Sequence, residues 1–171
     1  MSLAPIRIVP ATAGHYAAIY ALNEEFVHVL APLSLQRLEL LVARASYQRV
    51  TVDHDEVLGF VLAFGSDTDH DSVNFRWFAA RYPSFLYVDR VVVSSTRQGT
   101  GVGSLLYDDL FAFAGRAGYE RLTCEIDAEP PNPRSERFHE RFGFRKVGAQ
   151  QVEHVAGEPK RVSLRCVLLG G

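Results

Sequence analysis

The chain has 171 residues, of which 47% are hydrophobic and 22% are charged, and its net charge at pH 7 is −2. This length is that of a single domain, and the proportions exclude a disordered, collagen-like or coiled-coil chain. The near-neutral charge argues against a nucleic acid or an anionic membrane as partner, and no apolar run reaches the roughly 18 residues that span a bilayer.

The spacing of apolar residues predicts strands and helices in the first half of the chain. Period-two alternation indicates a strand at residues 6–9, further strands are predicted at 47–52, 57–64 and 85–93, and helical spacing indicates helices at 12–31 and 34–45. Pro10 is typical of an edge strand, and Ser34 is a good helix N-cap. Residues 65–83 are predicted to be a functional insertion, because the segment is too long for a turn and too aromatic for a solvated loop.

The second half continues the alternation of helices and strands. A helix is predicted up to residue 117 with Gly118 past its end, followed by a strand at 121–127. Asn132 and Pro133 are typical of the N-cap and first position of a short helix, which Gly143 closes. Two more strands are predicted at 145–154 and 160–169, joined by a turn at 156–159. This order predicts a mixed α/β domain with helices on both faces of one sheet.

Cys124 and Cys166 both lie in predicted strands. The sequence contains no CxxC pair and no cluster of Cys and His, so no metal site is predicted. We expect both cysteines to be reduced packing residues.

A glycine-rich turn is the strongest local signal, and it reads Gln98-Gly99-Thr100-Gly101-Val102-Gly103-Ser104. It follows a valine-rich strand and precedes an amphipathic helix. Glycines let a ligand approach the backbone, and the first helical turn offers unpaired N–H groups and a positive dipole end. The turn is therefore predicted to bind a pyrophosphate. It is no P-loop, because Gly-Lys-Ser/Thr is missing, and Leu106 stands where a dinucleotide fingerprint needs its third glycine.

Two segments resemble the GCN5-related N-acetyltransferase (GNAT) superfamily. Gln98-x-x-Gly101-x-Gly103 is similar to its Q/R-x-x-G-x-G/A signature, and residues 132–144 are similar to its N-x-x-A-x-x-F-Y-x-x-x-G-F segment. Residues 87–90, 124–127 and 138–144 resemble a bacterial subgroup of predicted acetyltransferases whose substrate is not settled. The resemblance implies one domain over residues 6–169, with a central, mixed, mostly antiparallel sheet of about seven strands.

The resemblance also implies acetyl-CoA as co-substrate, with no metal. Amides of the turn would bind its pyrophosphate, an asparagine would lie beside the pantetheine, and the edge of the preceding strand would pair with pantetheine and polarise the thioester carbonyl. The implied cofactor-binding residues are Val91, Val92, Val93, Gln98, Gly99, Thr100, Gly101, Val102, Gly103, Ser104, Asn132 and Ser135. Taken alone, the three valines are equally typical of a buried strand.

Acyl transfer from a thioester to an amine needs an acid for the departing thiolate. His139 occupies the position of the tyrosine that the family places near the thioester sulfur, and imidazole can protonate a thiolate. The alternative is a half-buried histidine that is hydrogen-bonded to Ser135. Replacing His139 by Gln is predicted to lower kcat if the first interpretation holds.

The amine must also lose a proton. Glu125 is the first candidate for the general base, acting directly or through a water, and Asp89 and Asp127 are the others. Alternation along a strand places Glu125 and Asp127 on one face. The alternatives are an ion pair with Arg90 or Arg121, or an amine that arrives already neutral.

The acceptor site is expected to come from the first helix, the insertion and the neighbouring strand. The candidate substrate residues are Asn23, Glu24, Asn74, Trp77 and Tyr87. For Phe75 and Phe78 the alternative is an aromatic cluster under a loop.

The sequence thus predicts a cytoplasmic N-acetyltransferase, monomeric or homodimeric, that acetylates a primary amine of a small molecule by direct attack in a ternary complex. The absence of a secretory signal at the start supports the expected location. Two alternatives stay open: a CoA-binding module without turnover, and a protein N-acetyltransferase. Nucleic acid and membrane are not expected as partners.

Overall fold

The computed structural model describes residues 5–153 and 158–170. Seven strands are present in these ranges: β1 Arg7–Pro10, β2 Tyr47–Asp53, β3 Glu56–Gly65, β4 Leu86–Val93, β5 Arg121–Glu129, β6 Arg145–Glu153 and β7 Pro159–Leu168. The same ranges contain five α-helices: α1 Tyr16–Glu25, α2 Leu35–Arg44, α3 Val73–Ala79, α4 Val102–Ala117 and α5 Pro133–Arg141. The turn predicted at 156–159 lies partly outside the described residues. Residue 154, the last of the strand predicted at 145–154, also lies outside them.

Hydrogen bonds join the strands in the order β1-β2-β3-β4-β5-β7-β6. The β4–β5 pair is parallel, while the pairs β1–β2, β2–β3, β5–β7 and β6–β7 are antiparallel. The predicted fold class, a mixed α/β domain with a mostly antiparallel seven-stranded sheet, is confirmed. No helix in the described ranges is long and apolar enough to cross a membrane.

The chain divides into two compact units, and each has its own core. The first consists of Met1–Phe64 and Asp89–Phe113, and the second of Gly65–Val88 and Ala114–Gly171. Fully buried side chains in the first unit include Ile19, Leu38, Val50, Phe60, Leu106 and Leu110. Those in the second include Phe78, Phe85, Leu86, Leu122, Val162 and Leu164.

The first helix ends earlier than predicted, at Glu25 rather than near residue 31. The reason is a buried polar contact that the apolar pattern does not encode. Asn23 is fully buried, and its Nδ2 donates to the Ala31 carbonyl at 3.2 Å. Arg90 Nη1 donates to Asn23 Oδ1 at 2.8 Å. These bonds hold the segment after α1 in a non-helical path.

The predicted insertion at 65–83 contains a helix, α3, that the sequence pattern did not predict. Ser72 caps it, since its Oγ accepts the N–H groups of Asn74 and Phe75. Phe75 and Phe78, one helical turn apart, are both buried and lie against Phe85. The alternative of an aromatic cluster is therefore the one observed for these two residues.

Candidate active site

The glycine-rich turn leads directly into α4, which begins at Val102. Gly99 and Gly101 have φ values of +78° and +91°, which side chains with a Cβ rarely adopt. A Cβ built on either glycine would meet nothing within 4 Å. The surface of the turn is therefore open to a ligand, as the predicted pyrophosphate site requires.

The first turn of α4 supplies the donors for such a ligand. The hydrogen bond from Leu105 N–H to the Gly101 carbonyl is 3.0 Å long and begins the helical ladder. The N–H groups of the three residues before Leu105, residues 102–104, precede that ladder and lack helical acceptors. Two side chains stabilise the turn. Gln98 Nε2 donates to the Val93 carbonyl, and the Thr100 hydroxyl donates to the Arg97 carbonyl. The residues present thus fit a diphosphate.

Strand β4 precedes this turn in the chain. Its parallel ladder with β5 consists of Leu86 opposite Leu122 and Tyr87 opposite Thr123. Two of the eight residues of β4 are thus paired with β5 in the described chain. Val92 is 3% exposed, whereas Val91 and Val93 are half-buried.

A short hydrogen bond lies at the end of that ladder, within the second unit. The Tyr87 hydroxyl donates to Glu125 Oε2 at 2.6 Å, and Ser72 Oγ lies 3.4 Å from the same hydroxyl. Tyr87 is 1% exposed, while Glu125 is half-buried between the buried Cys124 and Ile126. The predicted base and a predicted substrate residue are thus brought together. The sequence pattern does not reveal their bond, although both belong to the β4 and β5 segments that carry the family resemblance.

Asp89 has a structural partner. Arg90 Nε donates to Asp89 Oδ2 at 2.7 Å, and both side chains are 8% exposed. Arg90 also bonds to Asn23 and to the Ala31 carbonyl. The ion-pair alternative is therefore the observed one for Asp89. Asn23 uses both ends of its amide inside this network, and Glu24 is exposed.

The other polar candidates of the second unit also have partners within it. Asp127 forms an ion pair with Lys160 at 2.9 Å. Asn74 Oδ1 accepts from Gln150 Nε2 at 2.6 Å. Trp77 is covered by the Arg81 guanidinium, 3.7 Å from the ring centroid, and packs against Gly148, where a Cβ would approach the ring to 2.3 Å. The Trp77 ring thus packs against both Arg81 and Gly148, and its predicted contact with the substrate stays a prediction.

The α5 candidates form a connected set. Asn132 Oδ1 accepts the Ser135 N–H at 3.3 Å and caps the helix. His139 is 3% exposed, and its Nδ1 lies 2.7 Å from the Ser135 carbonyl. Because a carbonyl only accepts, this Nδ1 carries the proton. Burial lowers the pKa of His139 to about 4, although the bond to Ser135 opposes this and the Arg165 charge adds to it.

Both cysteines are free and buried, as predicted. Burial raises the pKa of the Cys124 thiol and of the Cys166 thiol, so both are protonated at neutral pH. Neither can serve as an acyl-accepting thiolate. Among the described residues, no group of three or more His, Cys, Asp or Glu side chains could hold a metal ion.

Residues 16–144 match the sequence model of the Acetyltransferase (GNAT) family. The chain belongs to that family. The predicted enzyme class, an acetyltransferase with this fold, is confirmed. No curated protein sequence matches this GNAT acetyltransferase.

Solved structures agree with the assignment of the fold. The GNAT acetyltransferase is similar to the ribosomal-protein-S18-alanine N-acetyltransferase of Escherichia coli, with 13% identity, a TM-score of 0.73, and coverage of 98% of this chain and 96% of that one. NAA60 of Arabidopsis thaliana, solved with acetyl-CoA, has 14% identity, a TM-score of 0.78 and coverage of 98% and 100%. The yncA protein of Salmonella typhimurium, solved with its cofactor acetyl-CoA, has 23% identity and a TM-score of 0.72, with coverage of 96% of this chain and 94% of that one.

Burial of His139 makes the stability of this GNAT acetyltransferase depend on pH. The folded pKa, about 4, lies below the ordinary value of 6.5. The unfolded state therefore binds more protons between these values, so stability is present above pH 6.5 and is lost as pH falls toward 4. Relative to His139→Gln, the free energy of unfolding of the wild type is expected to fall by up to about 3 kcal/mol over this window. Urea unfolding of both proteins at a series of pH values measures this difference. Parallel curves of unfolding free energy against pH for the wild type and His139→Gln would contradict the prediction.

Thr123 in the GNAT acetyltransferase buries a hydroxyl that finds no hydrogen-bond partner in the described part of the chain. Thr123→Val is expected to raise the free energy of unfolding by about 1 kcal/mol, because an unsatisfied buried hydroxyl costs stability. Thr51→Val is the matched control, since Thr51 is equally buried and donates to the Gly59 carbonyl at 3.3 Å. Urea unfolding compares the two; equal destabilisation by both would overturn the prediction.

Proposed function

We propose that the chain transfers the acetyl group of acetyl-CoA to a primary amine of a small molecule, by direct attack of the amine in a ternary complex. The observation that carries this proposal is the open turn at Gly99 and Gly101, followed by the unpaired first-turn amides of α4. The acetyl-CoA in the NAA60 and yncA structures supports the choice of donor.

When bound, acetyl-CoA supplies a thioester carbon for attack and a thiolate leaving group. We assign its pyrophosphate to the backbone amides of residues 98–104 and its pantetheine to the backbone of Val91–Val93. Asn132 uses its Oδ1 for the helix cap, so its Nδ2 is the group it can offer to the pantetheine. Ser135 belongs to the same set through the cap and through His139.

Glu125 is the proposed general base. Its carboxylate is half-buried, and the Tyr87 hydroxyl holds one of its oxygens. The other carboxylate oxygen has a lone pair that can accept the proton of the attacking amine. Asp89 is a poorer candidate because Arg90 engages it in a buried ion pair.

We propose that the thiolate takes its proton from solvent rather than from His139. An imidazole whose pKa is about 4 is neutral at pH 7, and the single proton it carries is directed at the Ser135 carbonyl. On this proposal His139→Gln keeps the kcat of the wild type. A large loss of kcat with unchanged CoA affinity would restore the acid role.

The proposal is tested by calorimetric titration with acetyl-CoA, followed by a thiol-release assay with a panel of small primary amines and a panel of peptides. Binding together with turnover of small amines supports the proposal. Binding without turnover of any acceptor indicates the non-catalytic CoA-binding module, and turnover of peptides alone indicates a protein N-acetyltransferase. Failure to bind acetyl-CoA overturns the proposal altogether.

A further inference from the structure

We infer that Tyr87 is a positioning residue for the reaction, because its hydroxyl holds the Glu125 carboxylate in the orientation and charge state of a proton acceptor. This inference rests on the proposed function, in which Glu125 is the general base. Tyr87 was predicted as a substrate contact, and in the structure its hydroxyl bonds to Glu125.

The hydrogen bond itself is the first argument. At 2.6 Å from Tyr87 Oη to Glu125 Oε2, it has the length of a charge-assisted bond between a hydroxyl and a carboxylate. A half-buried glutamate on a strand has several rotamers, and a bond to a fixed donor selects one of them. Tyr87 can be that fixed donor because it is 1% exposed.

The insertion provides the rigidity of the donor. Phe75 and His70 meet the Tyr87 ring edge-on, at centroid distances of 5.6 Å and 5.7 Å, and Phe78 lies 6.1 Å away. Ser72 caps α3 and lies 3.4 Å from the Tyr87 hydroxyl. All four residues belong to the segment 65–83, so this segment builds the support of the proposed base.

The bond has a chemical consequence. When the amine is deprotonated, its N–H bond breaks and an O–H bond forms on Glu125, while Tyr87 keeps its own proton. Solvent then takes the proton from Glu125. A donor to the ionised form favours that form, so loss of the Tyr87 hydroxyl makes Glu125 accept its proton at a higher pH.

Other titratable and charged groups lie on the elements around the pair, and Asp127, on the same face of β5 as Glu125, pairs with Lys160. Cys124, beside Glu125, is a protonated thiol, and Leu164 lies opposite Glu125 in the β5–β7 ladder. Arg165 lies opposite Cys124 and pairs with Glu136. On the side of the insertion, Asp71 lies 3.7 Å from His70.

The test compares Tyr87→Phe with Tyr82→Phe in the full-length protein. Tyr82 lies beneath the Arg121 guanidinium, and its hydroxyl bonds to no residue that the structure describes, so the same chemical change there serves as control. Tyr87→Phe is expected to lower kcat about 10-fold to 100-fold with an unchanged KM for acetyl-CoA, and to move the acidic limb of the kcat/KM profile to higher pH. Tyr82→Phe is expected to match the wild type.

A second substitution at Tyr87 tests the same role if Tyr87→Phe fails to fold. Replacing Tyr87 by 3-fluorotyrosine retains the hydroxyl and makes it a stronger donor, so the acidic limb is expected to move to lower pH. A combined Tyr87→Phe and Glu125→Gln variant is expected to be no slower than Glu125→Gln alone, since the two residues act as one unit.

The outcomes separate the two proposals. The positioning role is overturned if Tyr87→Phe keeps the kcat and pH profile of the wild type, or if the acidic limb does not move in the fluorotyrosine protein. In either case a loss of activity in Glu125→Gln still supports Glu125 as the base. Wild-type activity in Glu125→Gln overturns the assignment of the base itself, and the positioning role falls with it.

Discussion

Glu125→Gln is expected to lose about 10²-fold to 10⁴-fold in kcat, the range that a positioned general base contributes. Glutamine keeps the shape of the side chain, and its amide oxygen can still accept the bond that Tyr87 donates. The amide cannot take the proton of the amine, so only the chemical step is affected. Thiol release at saturating acetyl-CoA measures kcat, and calorimetry is expected to give an unchanged dissociation constant for acetyl-CoA.

Glu129→Gln is the matched control, because Glu129 lies on the same strand and is exposed. Its kcat is expected to equal that of the wild type. Equal kcat values for Glu125→Gln and the wild type would mean that the amine binds in its neutral form or that another group accepts the proton.

Gly101→Val is expected to weaken the binding of acetyl-CoA at least about tenfold. A φ of +91° is strained for any side chain with a Cβ, at a cost of about 1–2 kcal/mol, so the free turn of the variant is expected to relax to another conformation that binding must reverse; tenfold in affinity corresponds to about 1.4 kcal/mol. The valine would also fill the open space where we assign the pyrophosphate. Calorimetric titration measures the dissociation constant.

Gly115→Val serves as the control for this substitution. Gly115 lies inside α4, and a Cβ there also meets nothing within 4 Å, but its backbone is helical. Binding by this variant is expected to equal that of the wild type. If both valine variants bind acetyl-CoA as the wild type does, the turn is not the pyrophosphate site.

Local signals predicted the elements around the site well. Ser34 accepts the Arg37 N–H, and Asn132 caps a helix that has Pro133 at its first turn. Gly118 and Gly143 both follow a helix with positive φ. Caps and glycine turns involve residues within a few positions of one another, which is why the sequence pattern reveals them.

Helix α3 was not predicted, because seven residues are too few to show a clear helical period of apolar residues. Its signal was the Ser72 cap together with Phe75 and Phe78 at a spacing of three, and this signal is weak next to the polar residues that precede it. Packing of the two aromatic rings against Phe85 stabilises a helix that the isolated segment would not form.

The sequence by itself determined the family, the order of the strands and of the helices other than α3, and the turn before α4, since each of these follows from short-range patterns. Only the tertiary structure decided which polar side chains far apart in the sequence meet. Tyr87 and Glu125 are 38 positions apart, and Arg90 and Asn23 are 67 apart. Such pairs depend on the register of β4 against β5 and on the path of the chain after α1. The periodicity of apolar residues indicates which face of a strand or helix a side chain occupies. It does not indicate which distant polar group the side chain meets on that face.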